Sequence, residues 1–276
     1  MDKSVEWLYA AENKTGGIAA WKDAGGWHVS YPEVTGYLLP TMLAWGAGDL
    51  AERCADWLLK QQNENGSFNG LDGTPRPFDT SAIIEGLRAM FHASGSVKYL
   101  LAVDKAVAWM RGMINPLYGH LKNSPAVDRA DIYNLRASAI IENKRELEFW
   151  KKAGLYQREN RSHYLSYALE GVLDFGDVDF ARPHVEMAYI NNPGLIPFHV
   201  NAEWQSTHPA FDLCASSQMG ILYLLLGLDA TKTYKAIKGH IETNGGIFQA
   251  PDDRREIAWA VKFWLDFKKL YNNTRQ

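Results

Sequence analysis

The feature that most restricts the fold is an internal repeat, in which helix-like segments end at a glycine beside an aromatic or apolar residue. Trp7-Leu8-Tyr9 leads to Gly16-Gly17-Ile18, Trp57-Leu58-Leu59-Lys60-Gln61-Gln62 leads to Gly66-Ser67-Phe68, and Trp109-Met110 leads to Tyr118-Gly119. Later copies run from Val185 to Pro193-Gly194-Leu195 and from Ile237 to Gly245-Gly246-Ile247. A degenerate copy fits between them around Phe149-Trp150 to Gly154-Leu155. Most neighbours are roughly fifty residues apart.

A second helix-like stretch follows each segment, so the repeating unit reads as a helical hairpin. These stretches are Val34 to Trp45, Thr80 to Phe91, Asp131 to Ile141, Tyr164 to Phe175, Leu213 to Leu226 and Glu256 to Leu270. Charged residues concentrate in the first helices, such as Asp49 to Lys60 and Lys144 to Lys152, while the second helices are more apolar. That contrast predicts an outer and an inner layer. Gly86, Gly171 and Gly220 recur at one register of the second helices, which implies close packing between neighbours, since glycine inside a helix costs about 1 kcal/mol. The last helix carries Ile257, Ala260, Val261, Trp264 and Leu265 on one broad face, which an open solenoid would leave uncovered. The expectation is an all-α fold, an (α/α)6 toroid forming one domain over 1–276, with no strand-like alternation and no second domain.

Composition narrows the function. The net charge of −3 is spread over both signs, with no basic stripe, which argues against nucleic acid. No apolar run approaches the ~20 residues of a bilayer span, and Met1-Asp2-Lys3 does not lead into a signal-peptide core, so a cytoplasmic protein is expected. Cys54 and Cys214 suit reduced buried thiols, with one disulfide between them left open, and neither they nor His199 and His208 have metal-ligand spacing. No cofactor motif appears: Gly16-Gly17, Gly25-Gly26 and Gly245-Gly246 lack phosphate-loop context. Ten Trp and thirteen Tyr exceed what a core of this size needs, so some should face a cavity.

The segment Ala55-Asp56-Trp57-Leu58-Leu59-Lys60-Gln61-Gln62-Asn63-Glu64-Asn65-Gly66-Ser67-Phe68 resembles the QW-type repeat of squalene–hopene cyclases and related prenyltransferase-like α/α toroids. The resemblance implies a glutamine tying a helix end to the next turn and a Gly-aromatic pair closing that turn. The DxDD motif by which class II triterpene cyclases protonate substrate is absent, as are aspartate-rich diphosphate motifs. The stretches Trp27 to Tyr37 and Ser162 to Gly171 resemble toroid proteins associated with polysaccharide assembly or modification, and six-hairpin toroids include glycoside hydrolases, polysaccharide lyases and sugar epimerases.

In such a ring the loops leading into the inner helices meet at one mouth, so chemistry should gather just before and within those first turns. Glu33, Asp79 and Asp212 are the candidate acid and base carboxyls for glycan cleavage. Asp79 and Asp212 read equally as helix N-caps, and Glu33 as a first-turn glutamate complementing the helix dipole. His163 and Tyr167 could move a proton in elimination or epimerisation, with Arg136 or Arg254 neutralising a carboxylate; packing tyrosines and a helix-bridging arginine are the plainer readings. Trp27, Tyr31, Tyr133, Trp204 and Trp259, with His28, would form a sugar-binding wall. Tyr164, Asp131, Asp252 and Asp253 belong to the same loops. The leading expectation is a glycan-processing enzyme; the alternatives are an isoprenoid cyclase or prenyltransferase-like protein, and a non-catalytic toroid that binds a glycan or peptide.

Overall fold

A computed structural model describes residues 1–156, 160–250 and 253–275; Asp252 therefore lies outside the described residues. The chain runs through α1 (Lys3–Ala10) and α2 (Pro32–Ala44), then α3 (Gly48–Gln61) and α4 (Pro77–Ser94), then α5 (Val97–Gly112) and α6 (Asn134–Ile140). It continues through α7 (Lys144–Ala153) and α8 (Ser162–Asp174), α9 (Val178–Asn191) and α10 (Leu213–Leu225), and finally α11 (Thr231–Lys238) and α12 (Ala258–Asn273). Even-numbered helices pack each on the next, and α12 returns to α2, which closes the inner layer of an (α/α)6 toroid.

The two layers follow from side-chain pattern. Outer helix α3 buries Leu50, Ala51, Cys54, Ala55 and Leu58, one stripe at helical spacing, and leaves its charged face in water. Inner helix α10 buries Leu213 to Gly220 without a break, then Leu222 and Tyr223, because neighbours surround it. No described helix is long and apolar enough to cross a membrane.

The repeating glycine has a physical cause. Gly66 has φ +93°, costly for any side chain, and a Cβ there would run into the backbone of Lys105 on α5. Gly16 and Gly17 press in the same way on the Trp57 ring of α3, Gly119 on Arg145 of α7, and Gly245 on the start of α1. Four of the six turns thus butt against an outer helix, the last of them against the first helix, while Gly154 and Gly194 of the two remaining turns meet no neighbour. Gln62 does what the repeat resemblance implies: its amide donates to the carbonyls of Gly66 at 3.1 Å and Ala102 at 2.8 Å. Between inner helices, a Cβ on Gly86 would collide with the carbonyl oxygen of Gly36, so α2 and α4 meet backbone to backbone.

The described residues also contain short strands, which the sequence pattern does not announce because most span two or three residues. Trp21–Asp23 pairs with Gly26–Trp27 and with Asp253–Ile257, and the latter with Phe248–Ala250, so a small antiparallel sheet staples the first loop to the last. Glu256 and Ile257, expected at the start of the final helix, belong to that sheet. Thr41 donates to Asp266 at 2.7 Å and Trp45 Nε1 to the Leu265 carbonyl at 3.2 Å, which completes the seam.

Candidate active site

Two prolines set the geometry. Pro32 and Pro77 occupy the first position of α2 and α4, where the missing N–H is no loss and φ is already helical. Glu33 and Asp79 consequently fall in the first turns, and both turns border a cavity of about 390 Å³ at the mouth of the ring. Tyr31, Glu33 and Tyr37 line it from α2 and its approach, and Arg76, Phe78 and Asp79 from α4, with Leu71 and Asp72 on the loop before. Tyr133 reaches in from the α6 approach, Arg161, His163, Tyr164 and Tyr167 from α8, and Trp259 from α12.

Glu33 and Asp79 are 8% and 3% exposed. Tyr31 donates its hydroxyl to Asp79 Oδ2 at 3.0 Å and also interacts with Glu33, so one phenol couples the two carboxyls. Burial, and next the neighbouring Asp79 charge, raises the Glu33 pKa far above the ordinary carboxylate range. Burial raises Asp79 as well, against the Tyr31 hydrogen bond and the Arg76 charge, which pull it down. The same burial and the two carboxyls push the Tyr31 phenol up, keeping it a hydrogen-bond donor. One member of the pair therefore holds a proton near neutrality while its partner is poised to accept one.

His163 is fixed from behind. Gln218 Nε2 donates to Glu170 Oε1 at 2.9 Å, which turns Gln218 Oε1 toward His163 Nδ1 at 2.5 Å. Since that oxygen only accepts, the proton sits on Nδ1 and Nε2 is left as the ring's acceptor. Burial, and next the Arg161 charge, lowers the His163 pKa to about 3, so the ring is neutral. Glu170 Oε2 also pairs with Arg136 Nε at 3.0 Å, and Arg136 pairs with Glu85 Oε2 at 2.6 Å. A band of charge on α4, α6 and α8, centred on the buried Arg136, thus joins the inner helices.

Several sequence candidates stand elsewhere. Arg136, 6% exposed, joins three inner helices through that band and does not line the cavity. Asp212 is fully buried as the N-cap of α10, accepting from Ala215 N at 2.9 Å and Gln249 Nε2 at 3.0 Å. Trp204 is also fully buried, its Nε1 donating to the Tyr156 hydroxyl at 2.6 Å. Trp27 packs edge-on to Trp7 at 4.9 Å and His28 stacks on Trp21 at 3.8 Å, because their loop folds into the closing sheet. Arg254 lies over Phe248 at 5.6 Å in that sheet. Conversely, Arg76 and Arg161 line the cavity although sequence reasoning passed over them. They stand immediately before α4 and α8, where the convergence rule would have found them. Among the described residues no cluster of three His, Cys, Asp or Glu side chains could hold a metal ion, and Cys54 and Cys214 are free and buried.

No family model and no curated protein matches the chain. Solved structures do. A novel α-amylase from Clostridium perfringens superposes with a TM-score of 0.77 at 10% identity, covering 98% of both chains. An unsaturated glucuronyl hydrolase specific for heparin gives 0.70 at 15% identity over 99% of this chain and 96% of its own. A type II terpene cyclase from Scytonema gives 0.64 at 14% identity over 97% and 94%. The chain has the α/α toroid fold that glycan-processing enzymes and prenyltransferase-like cyclases share.

Proposed function

We propose that this chain is a glycan-processing enzyme, a hydrolase, lyase or epimerase, that moves protons with Glu33 and Asp79. The observation carrying this reading is that those two buried carboxyls line one cavity, with Tyr31 bonded to Asp79 beside them and Tyr133, Tyr164 and Trp259 as its aromatic wall. Cleavage or epimerisation at a sugar carbon needs one group to deliver a proton and another to take one. Burial raises both Glu33 and Asp79, so one of the pair serves as the acid and the other as the base. Aromatic faces suit the C–H faces of pyranose rings, and the cavity falls in the roughly 300–1,000 Å³ range of small-molecule sites.

Polarity weighs against the cyclase alternative. A carbocation needs a dry aromatic wall, whereas Arg76 and Arg161 place two guanidinium groups at this one. Solved structures sharing the fold also include a sugar epimerase from a ruminal bacterium and a D-mannose isomerase. Two free buried thiols support a reducing, cytoplasmic setting, and the closed ring supports one domain over 1–276.

The test is a product assay over a panel of oligosaccharides with the wild type, Glu33→Gln and Asp79→Asn. Turnover by the wild type, lost in both variants while binding persists, is the expected result. Turnover that survives both substitutions would remove the proposed chemistry.

A further inference from the structure

A second cavity of about 360 Å³ abuts the first across Arg76, Tyr133, Arg161 and Tyr164, which line both. Its own walls add Arg129, Asp131 and Asn123. Three arginines therefore border one space, and their charges are unequally balanced. Arg76 is paired with Asp72 at 2.6 Å and Arg129 with Asp131 at 3.0 Å. Arg161 makes no ion pair among the described residues, and its Nε is buried there without a hydrogen-bond partner. Its guanidinium carbon lies 4.7 Å from the Phe198 ring centre and 5.2 Å from that of Tyr164, contacts that hold it in place without giving Nε an acceptor.

The placement of Arg76 and Arg161 serves neither helix. Each is the N-cap residue of an inner helix, α4 and α8, and neither makes a side-chain cap hydrogen bond. A guanidinium has no acceptor with which to cap backbone N–H groups, and its charge faces the positive end of the helix dipole. Two such residues at matching positions, bordering the same pair of cavities, make sense as ligand-binding groups. The helix ends then add to the attraction for an anion.

We propose that this adjoining cavity is the subsite for an anionic substituent of the glycan, a carboxylate or a sulfate, held by Arg161 with Arg76 and Arg129 beside it. The substrate is then an acidic oligosaccharide, with its charged unit anchored next to the Glu33 and Asp79 pair. This rests on the glycan reading above. Guanidinium matches both anions by bidentate hydrogen bonds, so the residues define the shared chemistry and experiment separates the sources.

The experiment compares kcat/KM and binding for size-matched neutral, uronate-bearing and sulfate-bearing oligosaccharides. Proteins are the wild type, Arg161→Gln, Arg161→Lys and Arg129→Gln, the last at a side chain 65% exposed whose loss spares the fold. The wild type should prefer one acidic class by about tenfold or more, and Arg161→Gln should cut the acidic-over-neutral ratio by about tenfold or more. Arg161→Lys should recover part of that ratio, and Arg129→Gln should lower it less. A wild type that handles neutral and acidic sugars alike, or an Arg161→Gln ratio that stays put, would overturn the subsite while leaving the glycan reading standing. Absence of binding and turnover with every sugar would overturn the glycan reading and the subsite with it.

Discussion

Asp79 and Asp212 open two inner helices from loops of the same kind, yet they do different work. Asp212 is the residue before α10, and its carboxylate is consumed by Ala215 N and Gln249. Asp79 is the third residue of α4, caps nothing, and meets Tyr31 at the cavity wall. A shift of three positions, nearly one helical turn, thus separates a carboxyl that completes a helix end from one left available to a ligand. Burial raises both. Only at Asp79 does a second raised carboxyl, Glu33, lie alongside.

Substitution should widen that contrast most in turnover. Asp79→Asn and Glu33→Gln are expected to lower kcat on any processed sugar by about 10²–10⁴-fold, as removal of an acid or base does. Asp212→Asn should stay within about tenfold, measured on the same substrate. Packing gives the next effect. Gly86→Ala drives a methyl into the Gly36 backbone and should cost α4 about 3 kcal/mol in urea unfolding. Gly220→Ala on α10 presses first on the Phe267 ring rather than on backbone, and should cost less, about 1–2 kcal/mol.

Stability should then separate the two aspartates in sign. Asp212→Ala removes a cap and is expected to destabilise by about 1–2 kcal/mol, read as a lower urea midpoint. Asp79→Asn deletes a carboxyl that is costly to ionise and should stabilise by about 1 kcal/mol at pH 8. The smallest effect is the pH slope itself. Glu33 and Asp79 bind protons more tightly folded than unfolded, so their contribution is complete below the ordinary carboxylate pKa near 4. It is lost as pH climbs through the raised values. The wild-type Tm should therefore fall between about pH 5 and pH 9, and Glu33→Gln/Asp79→Asn should flatten that fall.

The ring was legible because its repeat is enforced twice over. Gly17, Gly66, Gly119 and Gly245 turn with positive φ and also leave no room for a side chain against an outer helix, so the spacing survives in the letters at those copies and blurs at Gly154 and Gly194, which meet no neighbour. The convergence of inner-helix first turns followed from that ring, and it brought Glu33, Asp79, Tyr133, His163, Tyr167 and Trp259 to one cavity. What the letters do not carry is orientation. Trp204 and Trp27 have polar neighbours in sequence, but Trp204 is sealed by Tyr156, and Trp27 folds onto Trp7. Arg136 sits one turn deeper than Tyr133 on its helix, among Glu85 and Glu170 rather than at the mouth. Arg76 and Arg161 were hidden because an arginine before a helix carries no capping signal, although that misfit is itself the clue.

Where a sugar sits decides the chemistry. A crystal of the Asp79→Asn variant soaked with an oligosaccharide that binds in solution should show a pyranose ring against Trp259, Tyr133 or Tyr164. One of its oxygens should lie within about 3.2 Å of Glu33. A sugar ordered only outside this mouth, with the cavity between α2 and α4 left to water, would contradict it.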